Sequence, residues 1–217
     1  MADLATFADG LVHDIRNPLN VLRSNLYLLR QRLPEDPRTE RALTRMDDQV
    51  TAALRLLEGV QAFYRADRPS MQRVQVNDLV RSVVESTPSQ EGATVTLELA
   101  DGLPMIPADP QLLDAALRAL LRNAMDAVLQ GGSVVVSTST AEDTVSISVQ
   151  DSGDGVPEEV LSQIFQPFFT TRRGRSGLGL PLVAKVARAH GGSARVLTGG
   201  QGTRVELRLP IESASAS

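Results

Sequence analysis

Apolar residues recur every three or four positions through the first part of the chain. Leu4, Phe7, Leu11, Ile15, Leu19, Leu22, Leu26, Leu29 and Leu33 mark one stripe, and the spacing predicts a helix over residues 3–32. Pro18 lies inside it, removes a backbone hydrogen bond, and predicts a local bend. Pro34-Glu35-Asp36-Pro37 forms a turn that neither flanking helix can run through. A second helix follows over residues 38–66, with Leu43, Met46, Val50, Leu54, Leu57, Val60 and Tyr64 on one face. Two such helices joined so closely form an antiparallel hairpin. A hairpin buries only part of a stripe this wide, so pairing with a second copy into a four-helix bundle completes it.

After Asp67-Arg68-Pro69-Ser70 the periodicity turns mixed. Val74–Val76 reads as a short strand, Asn77 as the cap of a helix to Glu85, and Ala93–Leu99 alternates as a strand does. A longer helix is predicted from Pro110 to Leu129, stopping at Gly131-Gly132. Strands at 133–139 and 144–150 meet in a tight Glu142-Asp143 turn. A helix starts near Pro157, another runs from Leu178 to Ala189, and strands at 193–197 and 203–209 close the domain. Strands and helices intermix without a strict βαβ repeat. The fold class predicted is therefore α+β: a helical hairpin, then a sandwich of one mixed sheet with helices on one face. The boundaries fall at 1–69 for the hairpin, 70–211 for the second domain and 212–217 for a disordered Ser/Ala-rich tail.

Composition narrows the picture by exclusion. The 217 residues are 42% hydrophobic and 22% charged, as in ordinary globular proteins. A net charge of −4 gives no reason to expect nucleic-acid binding. The chain has no cysteine, hence no disulfide framework and no thiolate metal site. No apolar run approaches the ~20 residues that cross a bilayer, and no basic segment leads into an apolar block at the N-terminus. A cytoplasmic location is expected.

Chemistry enters at His13. It stands two residues from both Leu11 and Ile15, roughly 200° around a helix of ~3.6 residues per turn, so it points outward. Asp14 and Asn17 flank it, and an exposed imidazole beside a carboxylate suits a nucleophile or base. Three further motifs lie in the second domain. Asp151-Ser152-Gly153-Asp154-Gly155 ends a strand and, alone, reads as a turn. Gly177-Leu178-Gly179-Leu180 opens a helix and bares N–H groups that attract phosphate. Arg122-Asn123-Ala124-Met125-Asp126-Ala127 places an amide oxygen within a helix, where it is either solvated or a ligand for Mg²⁺.

Taken in order, these motifs resemble the ATP-binding domain shared by sensor histidine kinases, gyrase-type ATPases and related chaperones. The resemblance covers residues 70–210 and includes Phe165-Gln166-Pro167-Phe168-Phe169-Thr170-Thr171, His190-Gly191-Gly192 and Gly200-Gln201-Gly202-Thr203. Residues 11–19, Leu-Val-His-Asp-Ile-Arg-Asn-Pro-Leu, resemble the phosphoacceptor box of sensor histidine kinases and precede the ATP domain as they do there.

The resemblance implies specific roles. Asp151 accepts a hydrogen bond from the adenine amino group, and Gly153 and Gly155 let backbone approach the base. Asn123 holds Mg²⁺ against the ATP phosphates, with Asp126 one turn on. Residues 165–176, with Thr170, Thr171, Arg172, Arg173, Arg175 and Ser176, form a short basic lid, and Gly177, Leu178, Gly179 and Leu180 form the phosphate-facing helix start. His13 attacks the γ-phosphorus, Asp14 orients its ring, and Asn17 orients a water that hydrolyses the aspartyl phosphate of a response regulator. The implied protein is a homodimeric, ATP- and Mg²⁺-dependent histidine kinase whose partners are a receiver domain and a sensory input outside this chain. A non-catalytic histidine phosphotransfer protein and an ATP-binding pseudokinase adaptor are the alternatives. Two positions depart from the family pattern: Ala119 stands where a polar residue precedes the asparagine, and Arg175 replaces a glycine.

Overall fold

The computed structural model describes residues 4–33, 36–88, 92–128, 131–172, 175–198 and 202–212, the side chains of residues 4–9 excepted. The expectations for Pro34, Glu35, Leu129, Arg173, Gly200, Gln201, the 213–217 tail and the side chains of Leu4 and Phe7 lie outside the described residues. The chain forms two compact units, Met1–Tyr64 and Arg65–Ser217.

The first unit is built from α1 (Leu4–Arg32) and α2 (Pro37–Arg65), and α1 runs unbroken through Pro18. Asp36 starts α2: its carboxylate accepts the Thr39 N–H at 2.9 Å and the Thr39 hydroxyl at 2.8 Å. Those bonds hold the Asp36 carboxyl below its usual range. Arg16 donates to Gln61 at 3.0 Å, and Arg30 meets Glu40 at 2.7 Å and Thr44 at 3.1 Å. These pairs join the C-terminal end of α1 to the first turns of α2, and the middle of α1 to the last turns of α2, and fix the helices antiparallel.

The burial differs from the predicted stripe. Leu43, Val50 and Leu54 of α2 are buried, but Met46 is exposed. Leu11, Ile15, Leu22 and Leu29 of α1, and Leu33 just past its end, remain 39–51% exposed, while Val12, off the stripe, is buried. Arg16, one turn after Val12, carries the bond to Gln61. The side of α1 turned toward α2 is thus offset from the stripe, which is wider than one neighbouring helix covers.

The second unit holds β1 (Gln72–Val74), α3 (Val76–Glu85), β2 (Ala93–Leu99), β3 (Ile106–Ala108) and α4 (Pro110–Ala127). Then come β4 (Gly132–Ala141), β5 (Thr144–Asp151), α5 (Gly179–Ala189), β6 (Ser193–Thr198) and β7 (Thr203–Pro210). Five strands form one sheet in the order β2-β4-β5-β7-β6; β2 runs parallel to β4 and the other pairs are antiparallel. Register aligns Leu97, Val136, Val149, Val205 and Val196 in one row across it. Successive strand residues alternate faces, so this row belongs to the apolar side. Val134, Val136, Val145, Ile147 and Leu207 are buried there, as are Val80 of α3, Leu113, Leu117 and Leu120 of α4, and Val183 and Val186 of α5. The other face is polar: the Ser137 and Ser148 hydroxyls meet at 2.8 Å, and Arg204 donates to Ser148 at 3.1 Å.

Three local expectations shift. The first strand lies two residues earlier than predicted because Val76 already starts α3. Asn77 is no cap: its amide donates to the Ala100 carbonyl at 2.9 Å and accepts from the Thr138 hydroxyl at 2.8 Å, tying α3 to the sheet. The helix near Pro157 is a single tight turn, Glu158–Val160. Unpredicted β3 pairs antiparallel with β1 as a separate ribbon; three residues centred on Pro107 give no alternation to read.

Asp109, fully buried, organises the start of α4. Its carboxylate accepts from Gln111, Leu112 and Ser70 N–H groups at 3.0, 3.1 and 2.8 Å. Its own N–H donates to His190 Nε2 at 2.8 Å, and His190 Nδ1 lies 2.7 Å from the Val186 carbonyl. An accepting Nε2 places the ring proton on Nδ1. His190 is therefore a core residue bonded on both nitrogens.

Candidate functional site

His13 lies mid-helix on α1 with its side chain 70% exposed. Its Nδ1 faces the Asp14 carboxylate at 3.6 Å, an ion-pair distance longer than a hydrogen bond. Asn17, one helical turn on, is also exposed. Nδ1 turned toward Asp14 leaves Nε2 as the nitrogen open to an electrophile.

In the second unit the motifs converge on the C-terminal turns of α4. Asp151 ends β5 and is buried; its Oδ1 accepts the N–H groups of Gly153 at 2.9 Å and Thr203 at 3.3 Å. Burial pushes its carboxyl above the usual carboxylate range, against the lowering effect of those two bonds and of Arg172. A side chain at Gly153 would meet the Ala127 carbonyl oxygen at 2.7 Å, so the Asp151 loop abuts the end of α4. On the same loop, a side chain at Gly155 would meet the Thr198 hydroxyl at 3.1 Å and the Gly202 carbonyl oxygen at 3.3 Å.

One turn earlier on α4, half-buried Asn123 presses its amide against Gly179, where a Cβ would lie 3.3 Å from Nδ2. Gly179 opens α5, whose N-terminus has no side-chain cap among the described residues, unlike that of α4. Leu178 is buried, and its N–H donates to Ser176 Oγ over a long 3.4 Å. Uncapped N–H groups beside an amide oxygen suit a polyphosphate. Ala119, one turn before Asn123, is 2% exposed and belongs to the core.

The segment expected to form a lid is fastened at its base. Phe168 adopts φ +66°, uncommon for a bulky residue, and its N–H donates to the Gly177 carbonyl at 3.0 Å. Gly177 has φ +65°, and a Cβ there would lie 2.6 Å from the Phe169 carbonyl oxygen, so only glycine fits. Above this staple, Thr170 Oγ1 accepts the Arg172 N–H at 3.1 Å, and Thr171 is exposed. Arg172 donates to the Asn123 main-chain carbonyl at 3.3 Å, and Arg175 pairs with the Asp126 carboxylate.

The structure thus gathers Asn123, Asp126, Asp151, Gly153, Arg172, Arg175 and Gly179 around one helix end. The sequence marks Gly202 and Thr203 as part of a family motif but gives neither a role: Thr203 donates to Asp151, and a Cβ at Gly202 would lie 2.0 Å from the Asp151 carbonyl oxygen; Ala127, the surface under Gly153, is not singled out at all. Among the described residues no cluster of three or more His, Asp or Glu side chains could cage a metal ion. A lone amide oxygen beside a polyphosphate nevertheless fits Mg²⁺, which keeps several waters and takes few protein ligands.

A hairpin bearing an exposed histidine, followed by a mixed-sheet nucleotide-binding domain, defines a class that comparison with known proteins makes specific. Residues 3–69 match the His Kinase A (phospho-acceptor) domain, and residues 108–213 match the histidine kinase-, DNA gyrase B- and HSP90-like ATPase. Sensor histidine kinase ZraS of Escherichia coli O157:H7 is 32% identical over 213 residues, covering 96% of this chain and 46% of ZraS. Signal transduction histidine-protein kinase AtoS of Escherichia coli (strain K12) is 32% identical over 216 residues, covering 97% and 35%. The chain thus spans less than half the length of these curated relatives. Full-length ShkA, crystallised in complex with AMPPNP, superposes with a TM-score of 0.75 at 28% identity over 96% of this chain and 46% of ShkA. The catalytic domain of histidine kinase ThkA gives 0.61 at 26% identity, covering 66% of this chain and 97% of that domain's chain. The chain belongs to the sensor histidine kinase family and comprises its catalytic core.

Proposed function

We propose that this core binds ATP, phosphorylates its own His13 and passes the phosphoryl group to an aspartate of a separate receiver protein. The observation that carries the reading is the exposed His13, its Nε2 open, in the same chain as the Asn123–Asp151–Gly179 constellation. Asp151 accepts from the adenine amino group through carboxylate capacity beyond its two internal bonds. The uncapped start of α5 and the lid arginines hold the phosphates. Asn123 holds Mg²⁺, which when bound neutralises charge on the phosphates. Neutral His13 attacks the γ-phosphorus with its Nε2 lone pair, the bond from that phosphorus to the β–γ bridging oxygen breaks, and ADP leaves. The imidazolium formed keeps its Nδ1 proton toward Asp14, whose negative charge stabilises it. An aspartate oxygen of the receiver then takes the phosphoryl group and His13 returns to neutral imidazole. The exposed α1 stripe supports homodimerisation through the hairpins, and dependence on ATP supports a cytoplasmic site of action.

Incubation with γ-labelled ATP followed by acid treatment tests the reading. Acid-labile label supports the kinase; ATP binding with no label supports an adaptor; neither binding nor label supports a phosphotransfer protein. Asn123→Ala is expected to remove the Mg²⁺ dependence of ATP binding seen by calorimetry and to abolish labelling. Asn17 sits one turn from His13, in reach of the same partner face, without contributing to the nucleophile. Asn17→Ala is therefore expected to leave autophosphorylation within about twofold while slowing receiver dephosphorylation on the order of tenfold or more. Equal loss of both activities would assign Asn17 to helix structure.

A further inference from the structure

Arg175, the departure from the family's glycine, has an assigned partner. Its guanidinium pairs with Asp126, three residues after Asn123 on α4. The Asp126 side chain is 15% exposed, so its carboxylate is partly desolvated and holds a cation more firmly than an open surface pair does. Arg172, on the same stretch of lid, donates to the Asn123 main-chain carbonyl. Two lid arginines therefore rest on the helix segment that bears Asn123. Arg175 stands two residues before Gly177, which is hydrogen-bonded to Phe168 and packed close against Phe169. Its backbone is anchored there, and reach comes from its long side chain.

We propose that Asp126 is a positioning residue for Arg175. In the nucleotide-free protein it holds the guanidinium in reserve, and an incoming polyphosphate takes the guanidinium from it. This rests on the assignment of the ATP site above and changes the role of Asp126 within it: the carboxylate binds neither nucleotide nor metal but competes with the phosphates for Arg175. Two consequences follow from charge alone. An arginine engaged elsewhere about nine-tenths of the time lowers apparent affinity about tenfold. The penalty also grows with phosphate charge, because each added phosphate gains more from a released guanidinium. The pair thereby sets how tightly the core holds ATP and how well it separates ATP from ADP.

Calorimetry of the whole chain with ATP, ADP and adenosine, for the parent, Asp126→Asn, Arg175→Ala and the double variant, tests this. Asp126→Asn is expected to tighten ATP about three- to tenfold, ADP less, and adenosine not at all. In the Arg175→Ala background the same substitution is expected to change ATP affinity less than twofold. Weaker ATP binding in Asp126→Asn would overturn the proposal and mean that the pair holds the lid in its binding position. An undiminished gain in the Arg175→Ala background would also overturn it, leaving only direct repulsion between Asp126 and phosphate. Thermal melts of each variant separate these outcomes from a fold defect, and Asp126→Glu is expected to restore parental affinity. Failure of the parent chain to bind ATP at all would instead refute the site assignment itself.

Discussion

His13→Ala is expected to abolish acid-labile labelling from ATP while changing ATP affinity less than about twofold. The chain contains two histidines, and their surroundings differ in every respect that matters to nucleophilic attack. His190 is buried, with Nε2 accepting the Asp109 N–H and Nδ1 against the Val186 carbonyl. A ring whose lone pair is already used and whose proton is already donated has nothing to offer phosphorus. His13 has Nδ1 turned toward Asp14 and a side chain 70% exposed. Loss of the attacking atom removes the covalent step outright, so the rate is expected to fall by orders of magnitude and not by the few-fold loss of a positioning contact. Acid-labile label persisting in His13→Ala would overturn the assignment. His190→Ala is expected to do the reverse, lowering the melting temperature by uncapping the buried Asp109 contact.

The degree to which the chain could be read in advance follows from where each constraint lives. The helices of the hairpin and the strand Ala93–Leu99 carry their signal in local periodicity, and the observed bounds fall within a residue of those expected. Asn77 misled because a polar residue at a helix start normally caps it, whereas here its amide is taken by Ala100 and Thr138, more than twenty residues away. The α1 stripe was legible, but which side of it faces α2 was not. Helix packing is decided by side-chain shape at Val12 and the Arg16–Gln61 bond, and neither shows in a hydrophobic repeat. The nucleotide motifs were legible as motifs. That Arg175 would pair with Asp126 was not, because the two are 49 residues apart and meet only when lid and helix are folded together.

Asp151→Asn is expected to weaken ATP about ten- to a hundredfold while leaving the fold as stable as the parent or more so. The Asp151 carboxylate is buried and accepts from Gly153 and Thr203, and asparagine can keep both bonds through its amide oxygen. Its NH₂ then points donors at the adenine amino group, where the carboxylate offered an acceptor. Loss of a hydrogen bond involving a charged group costs about 1.5–3 kcal/mol, which gives the range stated. Stability moves the other way because burial raises the folded carboxyl above its ordinary value of 3.8. The folded state then binds the proton more tightly than the unfolded chain does. The stabilising contribution of this group is full below pH 3.8 and is lost as pH rises through the elevated folded value. At neutral pH the parent therefore carries a charge that its fold disfavours, and the amide removes it. Melting temperatures measured from neutral pH downward are expected to show Asp151→Asn at or above the parent, with any advantage shrinking as pH approaches 3.8. A variant that melts well below the parent at neutral pH would show that the carboxylate stabilises the fold through its bonds. Unchanged ATP affinity in a folded variant would remove Asp151 from the adenine site.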